Sequence, residues 1–303
     1  MLRPLHLAAD WSRLVLALGL VAGVLLPGLA GQMSAHLPIW IAGMMFAGAL
    51  RLSPDDLAGM RRGLGSALTL TAVLQVVCPS LIALLLVVMG WTGQPFGLVI
   101  LLLAAAPPII GSANIAALLG LDSARAMQLM LVGTLALPLT VLPVLWVLPG
   151  LGSTNAVLGA VFRLLLLVGL AGGGAVVCRA LFLPRPDAAQ AKALDGLSVV
   201  ALAVVVIALM PAVSRSAVDT PGQFLVWLIL AFALNLGTQL LTRPLFRTPP
   251  QNPAAFTTGN RNLGIFFAAL PAATTDPLLV FLGCYQMPMF LSPLLMRWLY
   301  TRN

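Results

Sequence analysis

Phe256-Thr257-Thr258-Gly259-Asn260-Arg261-Asn262, followed by the apolar run Leu263–Leu270, is the stretch that decides how this chain folds. It places a glycine, two asparagines, two threonines and an arginine in a region that otherwise has the composition of a membrane helix. An arginine at the bilayer centre costs about 2.5–3.5 kcal/mol on insertion scales and about 10–17 kcal/mol for an isolated helix in simulation. Such a costly residue is expected to have a function, and its partner should indicate which function.

The composition predicts a polytopic helical membrane protein. Of the 303 residues, 60% are hydrophobic and 8% are charged, and the mean hydropathy is +1.05. A soluble domain of this length does not have that composition. The hydrophobic runs predict ten transmembrane helices: Trp11–Ala30, Leu37–Leu50, Leu64–Gly90, Phe96–Gly120, Ser123–Leu148, Ala156–Leu183, Leu194–Ala212, Gln223–Leu241, Pro253–Leu270 and Pro277–Tyr300.

The first of these runs has an alternative interpretation. Met1–Pro27 carries early arginines, an apolar stretch and then small residues, which is also typical of a signal peptide. A second apolar run begins almost at once at Leu37, and no soluble domain follows it. We therefore favour a first transmembrane helix.

The basic residues predict the orientation in the membrane. The isoelectric point near 11 is compatible with nucleic-acid binding, but the basic residues are scattered singly between apolar runs, which favours positive-inside loops. With ten helices, thirteen of the sixteen basic residues share the side of the N-terminus: Arg3, Arg13, Arg51, Arg61, Arg62, Arg125, Arg179, Arg185, Lys192, Arg243, Arg247, Arg297 and Arg302. Both termini are therefore predicted to be cytoplasmic, in a bacterial inner membrane.

Ten helices divide into two units of five, residues 1–150 and 151–303. A repeated unit with an odd number of helices must insert in opposite orientations, which is the architecture of inverted-repeat transporters. Gly111-Ser112-Ala113-Asn114 and Gly259-Asn260-Arg261-Asn262 share a Gly-x-x-Asn pattern at an offset of 148 (259 − 111), in the fourth helix of each unit. Prolines precede both patterns, at Pro107-Pro108 and within Pro249–Pro253.

Paired helix breaks of this kind predict a binding site near the membrane midplane, where half-helix N–H ends attract anions and carbonyl ends attract cations. The alternative is that both are kinked packing helices in which small residues allow close approach.

The carboxylates leave Arg261 without an acidic partner at membrane depth. The chain has no glutamate, and its aspartates fall at helix ends or in loops: Asp10, Asp55, Asp56, Asp122, Asp187, Asp195, Asp219 and Asp276. Carbonyl ends, water or an anionic ligand must therefore satisfy the guanidinium. The same distribution excludes a buried acid as proton relay and favours an anion over a cation at this site.

The residues give little support to an enzyme. His6 and His36 are the only histidines, and the chain has no H-E-x-x-H pattern or buried aspartate pair. No cofactor is predicted, and Cys78, Cys178 and Cys284 have no metal-ligand spacing. A structural or sensory membrane protein stays open as an alternative.

Four motifs, in order along the chain, resemble the bile acid:sodium symporter family. Met45–Asp56 is similar to the family's signature after the second helix, and Leu74-Gln75-Val76 resembles its glutamine position in the third helix. Ala106–Asn114 resembles its Pro-Gly-Gly-x-x-Ser-Asn segment, and Thr257–Asn262 resembles its Glu-x-Gly-x-Gln-Asn segment. Each motif alone is loose, but four in order are specific.

The resemblance implies a panel domain of helices one, two, six and seven and a core domain of the other six. It also implies that helices four and nine cross at unwound centres, and that the substrates are organic anions such as bile acids, pantoate or keto acids. Family members usually use two sodium ions. Here Thr257 stands at the family's sodium-binding glutamate and Arg261 at its glutamine, so that only Gln75, Asn114 and Asn262 match the sodium ligands.

These departures predict a transporter of small organic anions that works by alternating access as a facilitator or exchanger, in which Arg261 replaces the coupling cation. Sodium is therefore doubtful as a cofactor, and a sodium-coupled symporter with redistributed oxygen ligands is the alternative. The expected partners are the organic anion and the lipid bilayer. The predicted substrate-binding residues are Gln75, Gly111, Ser112, Asn114, Thr257, Thr258, Gly259, Asn260, Arg261 and Asn262.

Overall fold

The computed structural model describes residues 2–53, 59, 61–148, 151, 153–247, 249 and 251–301. These residues form helices joined by short connections, and they contain no β-strand. Three features used above lie outside the described residues: the end of the signature motif at 54–56, Pro250, and Arg302.

The described residues of the first half form ten α-helices. A π-helical segment, Val73–Val77, joins the fifth to the sixth without a break. The helices are α1 (Arg3–Asp10), α2 (Ser12–Leu25), α3 (Pro27–Ser34), α4 (Leu37–Ala49), α5 (Leu64–Ala72), α6 (Cys78–Val88), α7 (Pro95–Ala105), α8 (Ser112–Leu118), α9 (Ser123–Thr140) and α10 (Leu142–Val147).

In the second half, the described residues form nine more α-helices, with a second π-helical segment at Val168–Gly173 and short 3₁₀ turns at Arg243–Phe246 and Asp276–Leu278. The helices are α11 (Thr154–Leu167), α12 (Gly174–Phe182), α13 (Ala188–Asp219), α14 (Pro221–Thr242), α15 (Ala254–Gly259), α16 (Gly264–Ala269), α17 (Ala272–Thr275), α18 (Leu279–Leu295) and α19 (Arg297–Thr301).

Five continuous helical stretches of the described chain are long and apolar enough to cross a membrane, which confirms a helical membrane protein. They are Leu64–Val88, Thr154–Phe182, Ala188–Asp219, Pro221–Phe246 and Ala272–Leu295. Arg3–Asp10 and Leu14–Leu25, bent by 96°, form a sixth candidate. The complete ten-helix inverted repeat stays a prediction, because several of the other predicted spans are broken into short helices.

The boundaries of α13 differ from the prediction at both ends. The helix begins at Ala188 rather than near Leu194, because Asp187 and Gln190 form a capping box that satisfies backbone N–H groups at the helix start. Asp195 therefore lies two turns inside the helix rather than at its end, and it pairs with Arg51 at 2.7 Å. Lys192 also lies in this helix and pairs with Asp10 at 2.7 Å.

The long helix α13 is the centre of one group of helices. It packs against α1, α2, α3 and α4, and α4 packs in turn against α12 and the second π-helical segment. On its other side α13 contacts α14 and α18, which pack closely against each other. Large apolar side chains cover the outer surface, among them Val88, Leu170 and Leu181, as expected for a surface that faces lipid.

The chain breaks twice where the sequence contains its polar motifs. After α7, Ala106 turns extended (φ −62°, ψ 147°), the conformation that a following proline enforces. The segment Ala106–Gly111 then runs without helical structure, and Gly111 re-enters a helix with φ of +94°, a conformation that favours glycine. The second break, Asn260–Leu263, separates α15 from α16.

The prolines have different roles at the two breaks. Pro107 and Pro108 lie inside the first unwound segment, as predicted. Pro253, in contrast, precedes the first residue of α15, a position that suits proline. The second break, Asn260–Leu263, begins seven residues further on, so Asn260, Arg261 and Asn262 occupy the break itself.

Candidate functional site

The two unwound segments meet and pair through their backbones. Ile109 donates its N–H to the carbonyl of Asn260 at 3.0 Å, and Asn262 donates to the carbonyl of Pro107 at 2.7 Å. Pro108 and Arg261 face each other at the centre of this antiparallel pairing. Backbone groups left free by the two helix breaks thus satisfy one another, which a buried junction requires.

The Gly-x-x-Asn patterns lie at different places relative to this pairing. Pro108 faces Arg261, and the residues on either side of them pair in antiparallel order. Gly111 consequently follows the junction and begins α8, whereas Gly259 precedes it and ends α15. The two patterns do not lie opposite each other, because their glycines act at opposite ends of the unwound segments.

The guanidinium of Arg261 binds the carbonyl ends of both broken helices. Its Nη1 donates to the carbonyl of Ala106 at 2.7 Å, just after α7, and its Nε donates to the carbonyl of Thr258 at 3.2 Å, in the last turn of α15. The side chain is only 5% exposed. Helix C-termini carry partial negative charge, so both contacts stabilise the cation. Of the three groups expected to satisfy this arginine (carbonyl ends, water or an anionic ligand), carbonyl ends bind two of its N–H groups.

Beside the guanidinium lies a small internal cavity. Its volume is about 10 Å³, which is room for about one water molecule. It is lined by Thr71, Leu74, Gln75, Pro108, Leu129, Thr257 and Arg261. Three of the ten predicted site residues therefore meet here, contributed by the first π-helical segment, α15 and the second unwound segment.

The two polar side chains beside Arg261 are held by further contacts. Thr140 of α9 donates to Oε1 of Gln75 at 3.2 Å, so the amide Nε2 is the donor end of that side chain. Gly133 makes room for Nε2, since a Cβ at that position would collide with it. Thr257 is fully buried, and its hydroxyl donates to the carbonyl of Ala254 at 2.7 Å. The π-helical turn that carries Gln75 is a feature often found at functional sites.

Tyr285 of α18 holds the second break from behind. Its hydroxyl accepts the backbone N–H of Arg261 at 3.2 Å and donates to the carbonyl of Gly259. Asn235 of α14 donates to the same Gly259 carbonyl. Gly259 itself is required for this close approach, because a Cβ there would collide with the backbone carbonyl of Asn235.

Asn260 belongs to a buried hydrogen-bond network rather than to the cavity. Its Nδ2 donates to the carbonyl of Phe256 at 3.0 Å, and its Oδ1 accepts from Ser292 at 3.1 Å and from Asn235 at 3.3 Å. Gln239 extends the network by donating to Oδ1 of Asn235 at 3.1 Å and accepting from the hydroxyl of Tyr300 at 3.0 Å. This network fixes the break to α14 and α18.

The remaining predicted site residues lie around the crossing. Thr258 shares a hydrogen bond with Thr242 at 2.9 Å, and Ser112 donates to the carbonyl of Ala126 at 3.4 Å. Asn262 is buried, and among the described residues its Nδ2 has no hydrogen-bond partner. Asn114 is exposed on α8 and does not line the cavity, so the structure does not place it beside Gln75.

The sequence indicated some of these residues only weakly. Asn235 is a polar residue inside an apolar helix, and in the structure it makes helix–helix hydrogen bonds to Gly259 and Asn260. Sequence reasoning did not find Tyr285 and Ser292. They bind a main-chain carbonyl and a side-chain amide, and only the broken helix brings these two groups to them. The sequence signal that was available for these residues was a polar side chain inside an apolar helix, such as Tyr285 in α18.

Neither protein-family models nor curated proteins provide a match to this chain. The likeness to bile acid:sodium symporters therefore rests on the four sequence motifs, while the crossing, the two carbonyl contacts of Arg261 and the adjoining cavity are properties of this structure.

Proposed function

We propose that the protein is a secondary transporter of small organic anions that operates by alternating access without sodium coupling. The observation that carries this proposal is the position of the Arg261 guanidinium between the carbonyl ends of α7 and α15. Two converging helix C-termini attract a cation. Because the guanidinium is a covalently attached cation at that point, a dissociable cation is not needed there.

Charge supports an anionic substrate. Arg261 keeps its positive charge under all physiological conditions. Among the described residues, the ion pairs that involve aspartate are Arg51–Asp195 and Lys192–Asp10, both outside the crossing. The carbonyl contacts stabilise the guanidinium by dipoles but do not neutralise it, so an anion that enters the crossing meets a net positive charge.

The size of the cavity supports a conformational cycle. A cavity of about 10 Å³ cannot enclose an organic anion, so the described conformation is closed around Arg261. The backbone pairing and the Asn235–Asn260 network join both breaks to α14 and α18. We propose that these elements move as one body relative to the group of helices around α13. This division corresponds to the core and panel domains that the family resemblance implies.

The proposed setting is the bacterial inner membrane, with both termini in the cytoplasm, as the distribution of basic residues predicts. The sodium-coupled symporter and the non-transporting membrane protein are the competing functions, and one experiment separates all three.

The test is uptake of labelled monovalent organic anions by reconstituted vesicles, with and without a sodium gradient. Pantoate, a branched-chain keto acid and a conjugated bile acid are suitable probes. We expect uptake at equal rates in sodium and in potassium, and at least a tenfold loss in Arg261→Gln. The matched control is Arg163→Gln, which removes an exposed arginine from α11 and should retain uptake.

Two results would contradict the proposal. Strict sodium dependence would establish the symporter, and absence of uptake with every probe and driving force would favour the non-transporting protein. A gain-of-function variant adds a further criterion. Thr257 and Arg261 line the same cavity, so Thr257→Glu combined with Arg261→Gln should introduce sodium stimulation that neither single variant shows.

A further inference from the structure

The cavity beside Arg261 has the size and the chemistry of a site for a single small anion. Its volume of about 10 Å³ corresponds to one water-sized occupant. Its polar lining consists of the guanidinium, one amide and two hydroxyls, and it contains no carboxylate. A carboxylate or phosphate group with a carbon or phosphorus body does not fit in this conformation.

The residues that line the cavity carry hydrogen-bond donors on three different elements. Arg261 has five N–H donors, of which its Nε and Nη1 already bind carbonyls. Gln75 directs its amide as a donor, because Thr140 donates to its oxygen. Thr71 supplies a hydroxyl from α5, and its side chain is buried. Thr257 is the least favourable group, because its proton is committed to Ala254 and its oxygen presents lone pairs.

Energetics favour an anion over a water molecule in this cavity. A buried charge is costly unless it is paired, and two carbonyl dipoles compensate a guanidinium only in part. A monovalent anion next to Arg261 cancels the net charge of the crossing and lowers the cost of holding it within the membrane.

We propose that this cavity binds a monoatomic halide, with chloride as the physiological probe, when the transporter is closed and empty of organic anion. An organic anion displaces the halide when the crossing opens, and the halide returns when the organic anion leaves. One monovalent anion replaces another at each step, so charge balances and the transport mode is one-for-one exchange. This inference rests on the proposed function for the exchange step, but not for halide binding itself.

Halide binding is measured by thermal unfolding of the purified full-length protein in detergent micelles. Sodium chloride is compared with sodium sulfate at equal sodium concentration, because sulfate is too large for the cavity. At saturating chloride we expect the Tm to rise by about 2–4 °C, as for a ligand present at roughly ten times its Kd. Bromide should act like chloride.

Matched variants connect the shift to this cavity. Thr71→Val removes one lining hydroxyl without changing the volume, and it should weaken the apparent chloride affinity about tenfold. Thr69→Val is the control, because Thr69 lies two residues away on the exposed side of α5 and bonds the carbonyl of Gly65. It should bind chloride like the wild type. Arg261→Gln should lose the shift entirely, and the comparison of Thr71 with Thr69 decides the outcome if that variant does not fold.

The outcomes separate this inference from the proposed function. No chloride-specific shift in the wild type, or an equal shift in Thr71→Val and Thr69→Val, overturns the halide site. If organic anions are nevertheless transported, the proposed function stands. Conversely, a chloride shift that depends on Thr71, without uptake of any organic anion, leaves the halide site in place and overturns the transporter. The halide site and the proposed transport function are both supported only if chloride inside the vesicles accelerates organic-anion uptake.

Discussion

Removing the hydroxyl of Tyr285 should destabilise the crossing by an amount that depends on Asn235. In Tyr285→Phe the backbone N–H of Arg261 loses its acceptor, whereas the carbonyl of Gly259 retains the amide of Asn235. A buried donor left unsatisfied costs about 1–3 kcal/mol. Measured hydrogen bonds inside membranes average nearer 0.6 kcal/mol, so we expect a loss of about 1–2 kcal/mol.

The second substitution, Asn235→Ala, tests whether Tyr285 and Asn235 share the Gly259 carbonyl as their acceptor. Asn235→Ala alone leaves the Gly259 carbonyl bound to Tyr285, and Asn260 still accepts from Ser292. In the double variant the Gly259 carbonyl has neither donor and is buried without a partner. The double variant should therefore be less stable than the sum of the single variants by about 1 kcal/mol, a coupling within the range for residues in one network.

The assay is reversible unfolding in mixed micelles by titration with a denaturing detergent, followed by tryptophan fluorescence. A control cycle combines Asn235→Ala with Ser198→Ala, since Ser198 donates to Ala47 and Leu194 and shares no partner with the crossing. That pair should add within about 0.3–0.5 kcal/mol. If Tyr285→Phe and Asn235→Ala also add within that margin, the Gly259 carbonyl does not hold the two helices together.

Two glycine substitutions test the close contacts at the crossing. Each is compared with the substitution of a control glycine that has open space around it and lies in the same helix or in a helix packed against it. Gly259→Ala places a Cβ 2.6 Å from Cγ of Gln239 and into a backbone carbonyl. It should therefore lower the free energy of unfolding by about 2–3 kcal/mol. The control, Gly237→Ala in α14, has no neighbouring atoms near the added Cβ and should be neutral or stabilising by up to about 1 kcal/mol. Equal effects of the two substitutions in the unfolding assay would refute the close packing. In Gly48→Ala the added Cβ, on α4, meets the γ-methyl group of Ile110, which belongs to the first unwound segment. This substitution should slow organic-anion uptake several-fold, whereas the control Gly43→Ala should not. The opposite ranking of uptake rates would show that α4 does not contact the crossing.

The sequence predicted the chemistry at Arg261 better than it predicted the geometry around it. The absence of acids at membrane depth predicted that carbonyl ends, water or an anionic ligand would satisfy the guanidinium, and the structure shows two carbonyl contacts. The identity of those carbonyls, Ala106 and Thr258, depends on where each helix breaks. For the first break, two adjacent prolines marked the place. For the second, Pro253 pointed seven residues too early, because it precedes the start of a helix instead of ending one.

The roles of the Gly-x-x-Asn residues could not be predicted from the pattern. The pattern recurs at an offset of 148, but its glycines lie on opposite sides of the two breaks. Short patterns of small residues recur for local reasons: Gly111 adopts a left-handed conformation, and Gly259 allows a neighbouring backbone to approach. Asn114 shows the same limit, since a match to a ligand position did not bring it beside the cavity. Tertiary packing, which no short pattern contains, decides such placements.

The junction between Pro107–Ile109 and Asn260–Asn262 is made of main-chain atoms alone, and this has a consequence for how such a protein changes over generations. Its two hydrogen bonds constrain no side chain directly. Residues at the most sensitive point of the molecule can therefore be exchanged while the scaffold that presents them persists. A change of ligand charge, such as an arginine in place of a neutral amide, then needs one substitution and no new architecture. Under the proposed function, the exchange of a bound coupling ion for a fixed charge would require few substitutions.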